Sequence, residues 1–284
     1  MAELDVREDE VAGRHGRIPI RRYVPTVLPL GSTVVWIHGG AFSHGDLDMP
    51  ESDAVARAVA LTGRHVIAVD YRRVPPWSWW KQPRTGQLSG VRYPLPVDDV
   101  VDVLDQIQSE HAAGDVILGG ASAGACLAAA AALRQYSDGR PTASGLLLAY
   151  GIFHAALPPI PSELRRRIRG RHSVMQFRPD TVNKMNRNYA GSLEAMRDPF
   201  AFPGGHDLRG MPPTLVIDAD HDSLRASGHQ FANELREANV SLARNVVAGS
   251  SHGFLNRPGT AHFAEGIDVI AEWVRSQDGD NRLV

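Results

Sequence analysis

Five short apolar runs, at residues 34–37, 66–69, 116–118, 145–149 and 215–217, alternate with longer segments, and this rhythm constrains the fold more than any other feature. Runs that are apolar throughout belong to strands buried on both faces. The segments between and after them, at 51–61, 95–111, 123–136, 224–238 and 261–276, carry helical spacing and good helix formers. Strand and helix repeated in this way predict an α/β fold, a mostly parallel central sheet flanked by helices. One long departure from the rhythm spans 154–202, punctuated by Pro158, Pro159, Pro161, Pro179 and Pro199. It reads as a small helical lid inserted between two strands. With 284 residues and 43% apolar composition, the whole chain 1–284 is expected to form a single domain.

Charge and composition exclude several classes of function. Thirty basic against 32 acidic side chains leave a formal charge of −2, so no global field recruits nucleic acid or an anionic membrane. The first ten residues are charged and lack the apolar core of a secretory signal. The apolar run at 145–153 is far shorter than the ~18 residues that span a bilayer. A single cysteine, Cys126, excludes an intrachain disulfide and fits a reducing compartment, so a cytoplasmic location is expected. No cluster has metal-ligand spacing, and neither a metal nor an organic cofactor is expected. A homodimer is left open.

The chemistry is carried by Gly120-Ala121-Ser122-Ala123-Gly124. Small flanking residues allow the sharp strand-to-helix turn that presents a serine hydroxyl, and here an apolar run precedes it and an Ala-rich helix follows. A second match, Gly249 to Gly253 around Ser251, fails on context, because Pro258 forbids an immediate long helix. A serine needs a base and an orienting acid. His252 follows the β-like Val246-Val247 on a loop ahead of the last helix, which suits the base. Asp218, Asp220 and Asp222 all follow the strand that starts near Thr214, and spacing does not choose among them. Backbone amides must also hold the developing oxyanion. His38-Gly39-Gly40-Ala41-Phe42, after the first apolar run, supplies Gly39 and Gly40, and Ala123 supplies a third amide.

Taken together these residues resemble the hormone-sensitive lipase family of α/β-hydrolase esterases. The resemblance runs over most of the chain: His38-Gly39-Gly40, Val69-Asp70-Tyr71-Arg72, Tyr93-Pro94 with Asp98-Asp99, the elbow at Ser122, Asp222-Ser223-Leu224-Arg225 and His252-Gly253-Phe254. It implies the α/β-hydrolase fold, and it places the catalytic acid at Asp222 with Asp220 behind it. Ala121 and Ala41 depart from the family's usual acidic residue and third glycine. Only 37 residues precede His38, which implies a cap reduced at that end. The implied activity is hydrolysis of small, short-chain carboxylic esters by Ser122, His252 and Asp222 through an acyl-enzyme. An amidase using the same triad, or a non-catalytic small-molecule receptor, are the alternatives.

Other residues admit a binding or a structural reading. Phe42, Phe254 and the cluster Trp77, Trp79 and Trp80 are candidates for the substrate pocket. Cys126, one helical turn after Ser122, reads as core packing. The arginines at 165, 166, 167, 169 and 171 read as a solvated face, with attraction of an anionic substrate as the functional alternative. Asp98 and Asp99 are expected to face the unpaired amides at the start of their helix.

Overall fold

Strands that are apolar on both faces need cover on both faces. The computed structural model, which describes residues 3–26, 31–76, 88–110 and 116–280, provides it with one eight-stranded sheet between helices. In chain order the strands are β1 (Leu4–Gly13), β2 (Gly16–Pro25), β3 (Thr33–Ile37), β4 (Val66–Val69), β5 (Val116–Ala121), β6 (Gly145–Ala149), β7 (Thr214–His221) and β8 (Leu242–Ser251). Across the sheet they lie β1-β2-β4-β3-β5-β6-β7-β8. The pairings from β4 through β8 are all parallel, and only β1 with β2 and β2 with β4 are antiparallel.

Alternate residues of each strand enter different cores. Val35, Ile37, Leu118, Leu146 and Leu148 pack with the helices α2 (Leu95–Glu110), α3 (Ala123–Ser137) and α6 (Arg225–Glu237). Val34, Trp36, Ile117 and Leu147 pack with α1 (Pro50–Ala60) and α7 (Ala261–Asp280) on the opposite face. Between β6 and β7 the chain makes a detour through two short helices, α4 (Ser162–Arg167) and α5 (Pro179–Ala190), with 3-10 turns between and after them. Cys126 is buried in the first core, its thiol 3.5 Å from the Ala201 carbonyl, as the packing reading expected. Among the described residues no helix is long and apolar enough to cross a membrane.

One segment adds to the expected fold and one expectation needs correction. Ahead of His38, residues 4–25 form a hairpin that extends the sheet. Its Val11, Ile18, Ile20 and Tyr23 turn inward, while Arg21 pairs with Glu8, Arg22 with Asp9 and Arg17 with Glu10 across the strands. Asp98 and Asp99 serve tertiary partners rather than helix amides. Asp98 accepts from His15 and Arg134, and Asp99 accepts from the backbone and side chain of Arg72. Guanidinium groups reaching across from other segments outcompete the helix dipole.

β7 and β8 are joined by a part-buried ion pair, in which Arg244 donates to the buried Asp218 at 2.6 Å. Burial pushes the Asp218 carboxyl up to about 6 even though Arg244 pulls the other way. A carboxyl raised above its unfolded value near 3.9 contributes stability that is complete below that value and is lost as pH rises through 6. Replacing Asp218 with Asn removes this titration. Relative to wild type, the stability of Asp218→Asn is expected to improve between pH 4 and pH 6.5 by at most about 3 kcal/mol. Urea unfolding across that pH range measures the difference.

Candidate active site

Ser122 stands between the end of β5 and the start of α3 with φ 54° and ψ −115°, a conformation outside the usual regions for a residue with a side chain. Its N–H donates to the Ala149 carbonyl at 2.8 Å, which ties the turn to β6. Gly124 is required here because a Cβ would collide with the carbonyls of Ile37 and His38. The turn therefore presents Ser122 upward while α3 leaves beneath it.

His252 follows β8 directly, and its Nε2 lies 3.0 Å from the Ser122 hydroxyl oxygen. Its Nδ1 lies 2.6 Å from Oδ2 of Asp222, which sits one residue beyond β7. A carboxylate only accepts, so Nδ1 carries the proton and Nε2 is left to accept from Ser122. Asp222 is buried, and its other oxygen accepts from the Leu224 amide at 2.9 Å. Burial lowers the His252 pKa, but the charge and hydrogen bond of Asp222, helped by Glu51, carry it above its ordinary value. Of the three aspartates that spacing left open, Asp222 is the one that meets His252. Asp218 is held by Arg244, and Asp220 accepts from Arg167, Arg225 and the Gly249 amide on the way to His252.

Above Ser122 opens a cavity of about 260 Å³. Gly40 and Ala41 line it on one side, Met49, Met185, Leu224 and Phe177 give it apolar walls, and His252 completes it. Gly39 does not reach it as expected. Its N–H donates to Glu51 Oε1 at 2.8 Å, whereas no hydrogen bond within the protein engages the amides of Gly40 and Ala41 among the described residues. The loop amides facing the cavity are therefore those of Gly40 and Ala41, one residue further on. Gly40 has φ 114°, which only glycine adopts readily, and Ala41 holds φ 53°. The Ala123 amide at the first position of α3 has no intrahelical acceptor, as helix starts require.

Phe42 and Phe254 also need correction, since neither lines the cavity. Phe42 is buried and stacks on Tyr189 with ring centres 3.9 Å apart. Phe254 is buried beside Tyr150. Both rings find more apolar cover in the core than the cavity could give. Trp77, Trp79 and Trp80 lie outside the described residues. Among the described residues no group of three or more His, Cys, Asp or Glu could hold a metal ion.

Glu51 was missing from the sequence reading. Buried at the start of α1, it accepts from the Gly39 amide, from the Tyr150 hydroxyl at 2.5 Å and from Asn256 Nδ2 at 2.9 Å. It thus joins the glycine loop, the end of β6 and the turn after His252. Tyr150 and Phe177 were missed too, and they flank the His252 ring edge-on at 5.1 Å and 4.8 Å. No local pattern marks these residues, because their partners come from distant segments.

A family model described as alpha/beta hydrolase fold matches residues 34–86 and 87–256. The carboxylesterase NlhH of Mycobacterium tuberculosis is 32% identical over 264 residues, covering 88% of this chain and 75% of that protein. An acetyl esterase of Salmonella typhi is 26% identical, over 89% of this chain and 74% of its own. Among solved structures, an esterase of Pyrobaculum calidifontis superimposes with a TM-score of 0.81 at 28% identity, covering 96% of this chain and 85% of the other.

Replacing Glu51 with Gln keeps the volume but turns an amide NH₂ toward one of three donors. The unfolding free energy is expected to fall by about 1–3 kcal/mol, and Ser122 to react more slowly with a fluorophosphonate. Denaturant titration and the labelling rate check the two effects.

Proposed function

The chain belongs to the hormone-sensitive lipase group of α/β-hydrolase-fold proteins and is a carboxylic ester hydrolase, and from that premise we propose that Ser122, His252 and Asp222 perform the hydrolysis. The observation that carries this reading is the unbroken hydrogen-bonded line from Asp222 through His252 to Ser122, ending at a cavity edged by two loop amides.

In the first half-reaction His252 Nε2 takes the Ser122 proton as the oxygen attacks the ester carbonyl. The amides of Gly40, Ala41 and Ala123 hold the oxyanion, and Asp222 holds the imidazolium that forms. His252 then gives its proton to the departing alcohol. A water repeats the sequence on the acyl-enzyme and frees the acid.

The preferred substrates are esters of short acyl chains. A cavity of about 260 Å³ closed by Met49, Met185 and Leu224 accommodates a few carbons and lies below the usual range for drug-sized ligands. The segment 154–202 acts as a lid, since it lends Phe177 and Met185 to the cavity wall. The similarity to an acetyl esterase points the same way.

Initial rates on p-nitrophenyl acetate, butyrate, octanoate and palmitate test the reading. The short esters are expected to turn over and the palmitate not, and Ser122→Ala to lose on the order of 10⁶ in kcat. A variant that kept a tenth of the rate would overturn the assignment of Ser122.

The pH dependence tests the base. Because His252 must be neutral to accept a proton and its pKa lies above the ordinary value, kcat/KM is expected to rise through a midpoint above about 6.5. In Asp222→Asn the burial of His252 is opposed only by the weaker influence of the Glu51 charge. The midpoint is expected to move down and kcat to fall by about 10⁴. A pH–rate profile of both proteins measures the shift.

A further inference from the structure

A second cavity, of about 180 Å³, adjoins the first across the shared residues Phe177 and His252. It is lined in addition by His172, His221, Ser251 and Arg257. Its chemistry differs from that of the first cavity, which is walled by methionine and leucine. The His172 and His221 rings are stacked with centres 3.8 Å apart, and Arg257 has no carboxylate partner among the described residues. Gln176 fixes the site by donating to the carbonyls of both histidines while accepting from the Ser223 amide.

The neighbouring acidic groups are both engaged, Asp222 by His252 and the Leu224 amide. Asp220, 3.9 Å from His221, is already engaged by Arg167, Arg225 and the Gly249 amide. The approach is basic as well. Residues 161–178 hold six arginines against one glutamate, in a chain whose formal charge is −2. Arg165, Arg166 and Arg169 of this segment are exposed, and Arg167 ties it to the second cavity through its carbonyl contact with His221.

We propose that this cavity receives a carboxylate carried on the alcohol half of the ester, held by Arg257 at the wall opposite the stacked rings of His172 and His221. The inference rests on the hydrolytic reading above. That reading requires the acyl carbonyl to face the amides of Gly40 and Ala41 and the departing oxygen to face His252, which supplies its proton. The second cavity touches His252 and Ser251 but none of the oxyanion amides, so it lies on the side of the departing alcohol. In the step itself the bond from Ser122 to the acyl carbon forms, the ester C–O bond breaks and the His252 proton passes to the alkoxide. The carboxylate is a spectator that binds and orients. A charge-assisted pairing with a planar guanidinium suits a carboxylate in a site of this size.

The test compares 4-acetoxybenzoate with its methyl ester, which carry the same acyl group on leaving groups of nearly the same shape. The ratio of their kcat/KM values is expected to favour the carboxylate in wild type, to fall roughly tenfold in Arg257→Gln, and to shrink at about 0.5 M NaCl. An equal loss on both esters, or a ratio unmoved by the substitution, overturns the inference and leaves the esterase reading standing. Absence of turnover of both esters by wild type overturns the esterase reading and the inference with it.

Discussion

The site depends on the backbone at Ser122, held at φ 54° and ψ −115° between β5 and α3. Conformations of this kind cost of order 1–3 kcal/mol and persist only where the surroundings over-determine them. Here the surroundings do. The Ser122 amide is bonded to the end of β6, and Gly124 lies against the last carbonyls of β3, so three adjacent parallel strands brace one turn. Ala41, Phe42 and Tyr150 also hold positive φ in the same region, and Asn239 is the one other non-glycine residue to do so among the described residues. Strain is thus concentrated where the hydroxyl and the loop amides must be aimed at one point.

Glu51 links that strained turn to the base. Its carboxylate accepts from the glycine loop, from Tyr150 and from Asn256, three groups with no other reason to keep a fixed spacing. Its charge also raises the His252 pKa, in the same sense as Asp222. Two carboxylates therefore favour the imidazolium that forms when Ser122, and later water, gives up its proton. A negative charge behind the glycine loop opposes an oxyanion, and the three hydrogen bonds it accepts temper that opposition. The loop amides nearest the reaction, those of Gly40 and Ala41, remain outside Glu51's hold.

What could be read from the sequence follows the range of the interactions. The parallel strands and flanking helices show in short apolar runs and helical spacing because burial on both faces leaves a local signature. The turn at Ser122 shows because strand, glycines and helix are contiguous. Distances are not contiguous, so the choice among Asp218, Asp220 and Asp222 came only from family resemblance. The same limit shifted the expected loop amides by one residue, since the claim of Glu51 on Gly39 is made by a side chain twelve positions away. The hairpin at residues 4–25 was missed because its outward charges, paired across strands, resemble those of a loop. Phe42 and Phe254 were misjudged because an aromatic next to a motif says nothing about which side of the backbone it takes.

On the proposed hydrolytic reading, the insertion between β6 and β7 is where chemistry and selectivity meet. Gln176 and the Phe177 carbonyl bind the amide and hydroxyl of Ser223, directly after the acid Asp222. Phe177 itself packs edge-on against His252 and separates the two cavities. A sheet braced at Ser122 tolerates change in such a segment, because among the described residues the segment's bonds to the sheet meet the end of β7, at Asp220 and His221, rather than the middle of the ladder. The price of that freedom is that the wall shaping the substrate also touches the loop that carries the acid. Substitutions around Phe177 therefore act on substrate choice and on the orientation of His252 together, and the two effects separate only where a side chain, such as Arg257, faces the second cavity without bonding to the acid loop.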